Sequence, residues 1–176
     1  GFKALYGPGW QLAAVKNMYP DIGIYQSHQM VELVQELWKG IEGARHAHYY
    51  DTEGKEVLSV PPMFVDMEAG FGGPTQTFAL ASELLRAGAA GVHLENQDPA
   101  DRTCGHIVNV GKAKRDKVLV PRKVWMAKLK AIKAAAEAAG EHLVTIARTD
   151  SIDGALPGES AGGVKMAVED AWEASE

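Results

Sequence analysis

Three apolar runs in this chain end in the same way, and that repetition constrains the fold more than any other feature. PPMFVDME closes on Asp66 and Glu68, AAGVHLE on His93 and Glu95, and HLVTIARTD on Arg148 and Asp150. Each polar pair is spaced i, i+2, the interval at which two side chains of a strand share one face. The segments between them have helical spacing. Pro74 suits a first helical turn, Phe78, Ala81, Leu84 and Leu85 form an apolar face, and Gly88 ends the stretch. Pro121 opens a second stretch with Trp125, Leu129, Ile132 and Ala136 on one side and Gly140 after it. Strands alternating with helices predict a parallel sheet with crossover helices. Functional sites of such sheets lie at the carboxyl ends of the strands, where all three pairs fall.

The remaining segments fit around this frame. Residues 1–26 read as strand ends and loops, rich in Gly, Pro and Tyr. From Ser27, a candidate N-cap, Met30, Val34, Leu37 and Ile41 repeat at helical spacing. Residues 43–60 are polar with turn signals and read as a loop. A buried strand is expected at 63–67, and GVKMAVEDAWEASE begins one more helix. No internal repeat, low-complexity tract or linker divides residues 1–176, so one domain is expected. A closed (β/α)8 barrel takes about 250 residues. At 176 residues, the chain is either a smaller open sheet or part of a barrel.

Composition excludes several classes. The chain is 46% apolar and 23% charged, enough for one core in a soluble protein. No apolar run approaches the ~20 residues that cross a bilayer, and no secretory pattern opens the chain. It starts at Gly1 rather than Met, which leaves upstream targeting open. A single cysteine, Cys104, cannot form an internal disulfide or a thiolate-rich zinc site. That cysteine usage favours a reducing, cytoplasmic setting. Net charge is −5, yet ten of the 18 Lys and Arg lie between Arg102 and Lys133, with Asp116 the only acid there. They form either a solvated face or a positive field for an anionic substrate. Nucleic acid is a poor partner for an acidic chain whose basic stretch carries only Trp125 as an aromatic.

Brought to one place, the strand ends would supply four carboxylates, an imidazole and a guanidinium. Carboxylates at that density need a cation or Arg among them. The hard oxygen donors suggest Mg²⁺ or Mn²⁺ with much of its shell left to water and to a substrate bearing carboxylates or phosphates. Gly70-Phe71-Gly72-Gly73 is either a tight strand-to-helix turn or a backbone cradle for an anion. His46 and His48 could share a strand face, but no third ligand lies nearby, and His28 and His142 carry no functional signal.

VDMEAGFGG, AGAAGVHLENQ, CGH, KVLVP and IARTD, with GWQLA and MYPD upstream, occur here in the order found in isocitrate lyases. From about Tyr6 to Asp150 the chain resembles that family, within the phosphoenolpyruvate mutase/isocitrate lyase superfamily. The resemblance implies a (β/α)8 barrel, present here only in part. It also implies Mg²⁺-dependent cleavage of isocitrate to glyoxylate and succinate, and a homotetramer. By motif, Asp66 resembles the principal metal-site carboxylate, with Asp21, Glu68 and Glu95 as partners acting largely through water. Gly9 and Trp10 resemble the glyoxylate-binding segment, Tyr6 a catalytic tyrosine and possible base, His93 a site histidine, and Arg148 the substrate-carboxylate arginine. Cys104, Gly105 and His106 resemble the catalytic loop, with Cys104 as the acid. Pro8, Asn96, Arg102-Thr103 and the longer 107–116 stretch depart from the family pattern. They leave room for 2-methylisocitrate or another 2-hydroxy or 2-oxo acid as substrate, for oxaloacetate hydrolysis, or for a non-catalytic barrel fragment.

Overall fold

The structure, a computed structural model, describes residues 2–20, 24–102, 104 and 117–175. Asp21, Gly105 and His106, three of the expected site residues, lie outside the described residues, as does the whole 107–116 stretch. Four strands form one sheet: β1 (Leu5–Gly7), β2 (Met63–Asp66), β3 (Gly91–Glu95) and β5 (Val144–Arg148). Their spatial order is their chain order, and every pairing is parallel. Helices α2 (Ser27–Asp51), α3 (Pro74–Arg86) and α4 (Arg122–Ala139) make the three crossovers. α5 (Gly163–Ala174) follows β5. Consecutive parallel strands with a helix after each are the arrangement of one half of a (β/α)8 barrel. A separate two-stranded parallel ladder pairs β4 (Lys117–Val118) with β6 (Gly154–Ala155) above the carboxyl ends.

The two faces of the sheet differ in burial. Val65 and Val92 point outward and are fully buried under the helices, with Leu80, Ala81 and Leu84 of α3 and Trp125, Ile132 and Ala135 of α4. On the opposite face, Tyr6, Val144 and Ile146 stay between 44% and 54% exposed. The registers Tyr6–Phe64, Asp66–His93, His93–Ile146 and Glu95–Arg148 put the chemistry-bearing side chains on that open inner face.

The expected elements are present, with four corrections. Residues 43–51 continue α2 instead of forming a loop. The stretch is polar because the end of this helix is exposed, and an Arg45–Glu42 pair at i, i+3 (2.7 Å) supports it. His46 and His48 therefore ride on a helix, not a strand, and His48 contacts Glu56 at 3.2 Å. Residues 9–16 form helical turns (α1, Gly9–Gln11, then a wider turn over Leu12–Lys16) where loops were expected. Gln26 rather than Ser27 is the N-cap of α2, with its N–H taken by Gln29. Phe78 is 38% exposed, and the buried face of α3 is Thr77, Leu80, Ala81 and Leu84.

Gly91 shows how closely the inner face is packed at the start of β3. A Cβ there would meet the Phe64 ring and lie 3.0 Å from the Val144 carbonyl oxygen. Gly91→Ala should therefore cost about 1–3 kcal/mol, the usual cost of overpacking, read as a lowered urea midpoint with unchanged slope. A midpoint equal to that of the parent would show that Phe64 can turn away freely.

Candidate active site

β2 delivers Asp66 and then breaks into a turn rather than continuing as strand. Glu68 (φ 52°) and Phe71 (φ 53°) take the left-handed conformation, as do Gly70 and Gly72. For a non-glycine residue this costs on the order of 1–3 kcal/mol and persists only where the surroundings impose it. Here they do. The Glu68 N–H donates to Asp66 Oδ1 (2.8 Å), the Gly70 N–H to the Met67 carbonyl (2.8 Å), and the Glu95 N–H to the Glu68 carbonyl (2.9 Å). From α4 the buried Lys128 reaches in, its Nζ donating to the Ala69 carbonyl at 2.8 Å. Burial pulls the Lys128 ammonium below its ordinary pKa, against the opposing charge of Asp98. The tight-turn reading of Gly70–Gly73 thus fits better than the anion cradle, because the Gly73 N–H at the start of α3 is taken by the Gln76 side chain (3.0 Å).

The turn buries Glu68 (4% exposed) beside Glu95 (1%). The positive partners come from the chain itself. Arg102 pairs with Glu68 and lies 3.6 Å from Glu95 Oε1. Arg148 pairs with Glu95 Oε2 (3.2 Å) and with Asp150 (3.0 Å). Its side chain keeps 38% of its surface exposed on the inner face. His93 Nδ1 sits between the Tyr6 hydroxyl (3.3 Å) and Asp66 Oδ1 (3.5 Å). Only His93 and Glu95 share a strand face as the i, i+2 spacing predicts. Asp66/Glu68 and Arg148/Asp150 each straddle a strand end. Asp150 is held by Lys117 (2.9 Å) and Gln97 (2.7 Å).

These surroundings set the protonation states. Burial opposes ionisation of Asp66, but the His93 hydrogen bond and charge, the Glu68 N–H and Arg102 outweigh it and hold the carboxyl below its usual range. For Glu95 burial wins over Arg102 and Arg148, and the carboxyl is pushed up to about 6. Tyr6 moves well above its ordinary value, through burial first and then the Asp66 charge and hydrogen bond, while Arg148 pulls weakly the other way. Tyr6 is thus a protonated donor as the chain stands, and a base role needs a further cation beside it.

Of the other expected residues, Gly9 adjoins the carboxylate cluster. Gly9 is buried, and a Cβ on it would overlap both the Glu68 carboxylate and the Tyr25 hydroxyl. That hydroxyl, from a residue the sequence reading passed over, is buried and makes no hydrogen bond among the described residues. Trp10 is 54% exposed. Cys104 is half-buried and lies two residues beyond Arg102 in the chain. Arg102, Lys117, Arg122 and Lys128 are engaged by the protein's own acids and carbonyls. Neither a solvated face nor an outward field describes those four. Lys128 did carry a signal in the sequence, as a charge inside the apolar stripe between Trp125 and Ile132.

A hard divalent cation fits this donor set. Among the described residues no three His, Cys, Asp or Glu side chains converge closely enough to hold an ion together. Mg²⁺ needs only one or two direct carboxylates and keeps several waters. Asp66, which stays ionised, and the buried Glu95 Oε1, which lacks a hydrogen bond, are oxygen donors of the required kind.

A half-barrel with acids, an imidazole and arginines at its carboxyl end defines the class, and solved structures agree. The chain superposes on 2,3-dimethylmalate lyase, a PEP mutase/isocitrate lyase superfamily member, with a TM-score of 0.74 at 25% identity. It superposes on oxaloacetate acetylhydrolase bound to 3,3-difluorooxalacetate with a TM-score of 0.73 at 26% identity. Each alignment covers 99% of this chain and 48% of the other. The isocitrate lyase family model matches residues 9–160, and the chain belongs to that family. It is 35% identical over 155 residues to the isocitrate lyase of Halalkalibacterium halodurans and 34% identical over 157 to that of Corynebacterium glutamicum. Either alignment takes in 86% of this chain and 34% of the relative, so the chain spans about a third of those proteins' length.

The raised Glu95 pKa makes stability depend on pH. Between its ordinary value of 4.5 and about 6, the folded chain holds a proton that the unfolded chain has lost. Stability therefore falls as pH rises through that window and stays lower above it, by about 2 kcal/mol. In chelator, Glu95→Gln should match the parent near pH ~4 and exceed it near pH ~7.5 in urea denaturation. A variant no more stable at the higher pH would show that the arginines outweigh burial.

Proposed function

We propose that the complete protein is a Mg²⁺-dependent carbon–carbon lyase that cleaves isocitrate to glyoxylate and succinate. The observation that carries this reading is the convergence of Asp66, Glu68, Glu95, His93, Tyr6 and Arg148 at one end of a parallel half-barrel. Membership of the isocitrate lyase family supports it. Asp66, with Asp21, Glu68 and Glu95, would hold the cation, which when bound supplies Lewis-acid stabilisation at the oxygen of the carbonyl being formed. Arg148 offers its exposed guanidinium edge to a substrate carboxylate. By family resemblance Gly9 and Trp10 belong to the segment that receives the small oxo-acid product, and Gly9 has no side chain because Glu68 and Tyr25 fill the space beside it.

The electron flow is that of a retro-aldol cleavage. The substrate hydroxyl gives up its proton, its O–H pair forms the C=O of glyoxylate, and the C–C pair passes to the carbon that becomes part of succinate. Tyr6 faces His93, so a proton taken by one can pass to the other. Cys104 protonates the new carbanion, with Gly105 and His106 beside it in the chain. By family resemblance the protein works as a cytoplasmic homotetramer.

One observation favours a second reading within the superfamily. Pro8 and Arg102 stand where the family has Ser and Lys, and the structural neighbours include an oxaloacetate acetylhydrolase and a dimethylmalate lyase. Under it the same residues act on 2-methylisocitrate, oxaloacetate or another 2-oxo or 2-hydroxy acid.

Purified complete protein with Mg²⁺ and isocitrate should release glyoxylate, trapped as its phenylhydrazone. Cys104→Ser should lower the rate about 10²–10⁴-fold, the usual contribution of an acid–base group. Asp66→Ala should lower it at least as far. Absence of glyoxylate, with turnover of another acid in a substrate panel, would replace isocitrate as the substrate. Full activity of both variants would remove the catalytic reading.

A further inference from the structure

Asn96 follows Glu95 where the family pattern has Asp, and its surroundings give that departure a physical cause. It leaves β3 pointing away from the inner face and is 3% exposed. Its Nδ2 donates to Ser151 Oγ (3.0 Å) and lies 3.3 Å from both Thr149 Oγ1 and Asp170 Oδ2. Its Oδ1 accepts the Asp150 N–H at 2.8 Å. Asp170 comes from α5 and is 1% exposed. Its Oδ2 accepts the Ser151 hydroxyl (2.5 Å) and the Thr149 hydroxyl (2.9 Å), and its Oδ1 accepts Arg122 Nε (2.5 Å). Four elements thus meet on one buried carboxylate: the ends of β3 and β5, the start of α4, and α5.

We propose that Asn96 and Asp170 are a matched pair of positioning residues that fix the Thr149–Ser151 turn and, through Asp150, the direction of the Arg148 guanidinium. Lys117 and Gln97 hold the Asp150 carboxylate, while Asn96 and Asp170 hold the backbone and the hydroxyls of the turn. The amide of Asn96 holds the Asp150 backbone while the Asp170 carboxylate gathers the hydroxyls on either side of it. Asp150 Oδ1 in turn accepts both Arg148 Nε (3.2 Å) and its terminal nitrogen (3.0 Å). Polarity decides which residue is acceptable at 96. A carboxylate there would set an oxygen 3.3 Å from Asp170 Oδ2 with no proton between them, in a place without solvent. Asn96 therefore answers to Asp170 and not to the substrate, and an acid at 96 requires a neutral or positive residue at 170.

The test uses the ¹⁵N-labelled complete protein and needs no substrate, so its outcome is independent of the lyase reading. Two quantities are measured: the thermal midpoint, and the exchange rate of the Arg148 Nε–Hε cross-peak, assigned by its loss in Arg148→Lys. Asn96→Asp should lower the midpoint by about 5 °C or more. It should also speed Arg148 Hε exchange about tenfold, the factor that one hydrogen bond's net worth supplies. The swap Asn96→Asp/Asp170→Asn restores one donor and one acceptor to the pair and should recover most of both losses. If Asn96→Asp does not fold, a folded swap variant with a protected Arg148 signal carries the same conclusion. A swap no better than the single variant would overturn the matched pair. A lowered midpoint with Arg148 exchange unchanged in every variant would reduce Asn96 and Asp170 to a structural role.

Discussion

Repulsion among buried carboxylates is the constraint around which this molecule is arranged. Asp66, Glu68 and Glu95 converge at the carboxyl end of the sheet, where water is scarce and like charges interact strongly. The chain answers with two arginines from opposite sides. Arg102 arrives from the loop after β3 and Arg148 from the end of β5. His93 faces Asp66 from the neighbouring strand. Each cation also carries a position of functional interest: Arg102 precedes Cys104 by two residues, and Arg148 turns an open edge toward the inner face. Charge compensation and placement of the reactive groups are therefore one arrangement, and the left-handed turn at Glu68 is tolerated because it serves both.

Much of this was legible in the sequence because strands and their ends are local. The period-2 pairs, Pro74 and Pro121 at helix starts and Gly140 at a helix end are read from a few neighbouring residues, and all four strand–helix units hold. The motif residues Tyr6, Gly9, Asp66, Glu68, His93, Glu95 and Arg148 come together as their order implied. What escaped was non-local or ran against composition. The end of α2 looks like a loop because it is a solvent-facing helix with little apolar face to betray its period. Lys128 and Asp170 lie on buried helix faces, beside Trp125 and Ala167, where a charge signals a partner without saying which. Their partners, Ala69 and the Ser151–Asn96 pair, are 59, 19 and 74 residues away in sequence. No spacing rule spans that distance.

The basic segment shows why charge density alone misleads. Read as a string, Arg102 to Lys133 suggests a surface that attracts anions. In the fold, Lys117 is held by Asp150 and Asp153, Arg122 by Asp170, Glu169 and Glu173, and Lys128 by a backbone carbonyl. Lys117 keeps its proton more firmly than usual despite the burial that opposes it, because two aspartates hold it. These residues act on the site indirectly. Lys117 and Gln97 fix the Asp150 carboxylate, and Asp150 in turn orients Arg148.

The departures at Asn96 and Arg102 consequently differ in meaning, although both interrupt the same family pattern. Arg102 touches Glu68 and Glu95 directly, so replacing a lysine's single ammonium with a planar guanidinium changes what the carboxylates can hold. A guanidinium reaches two acids at once and gives up neither easily, so it competes for Glu68 and Glu95 with anything else those carboxylates could hold. Asn96 faces the other way, and its identity follows from a carboxylate on α5. A departure inside a motif is informative about substrate only when its side chain points to the inner face. By that criterion Arg102 keeps the substrate open, and Asn96 does not.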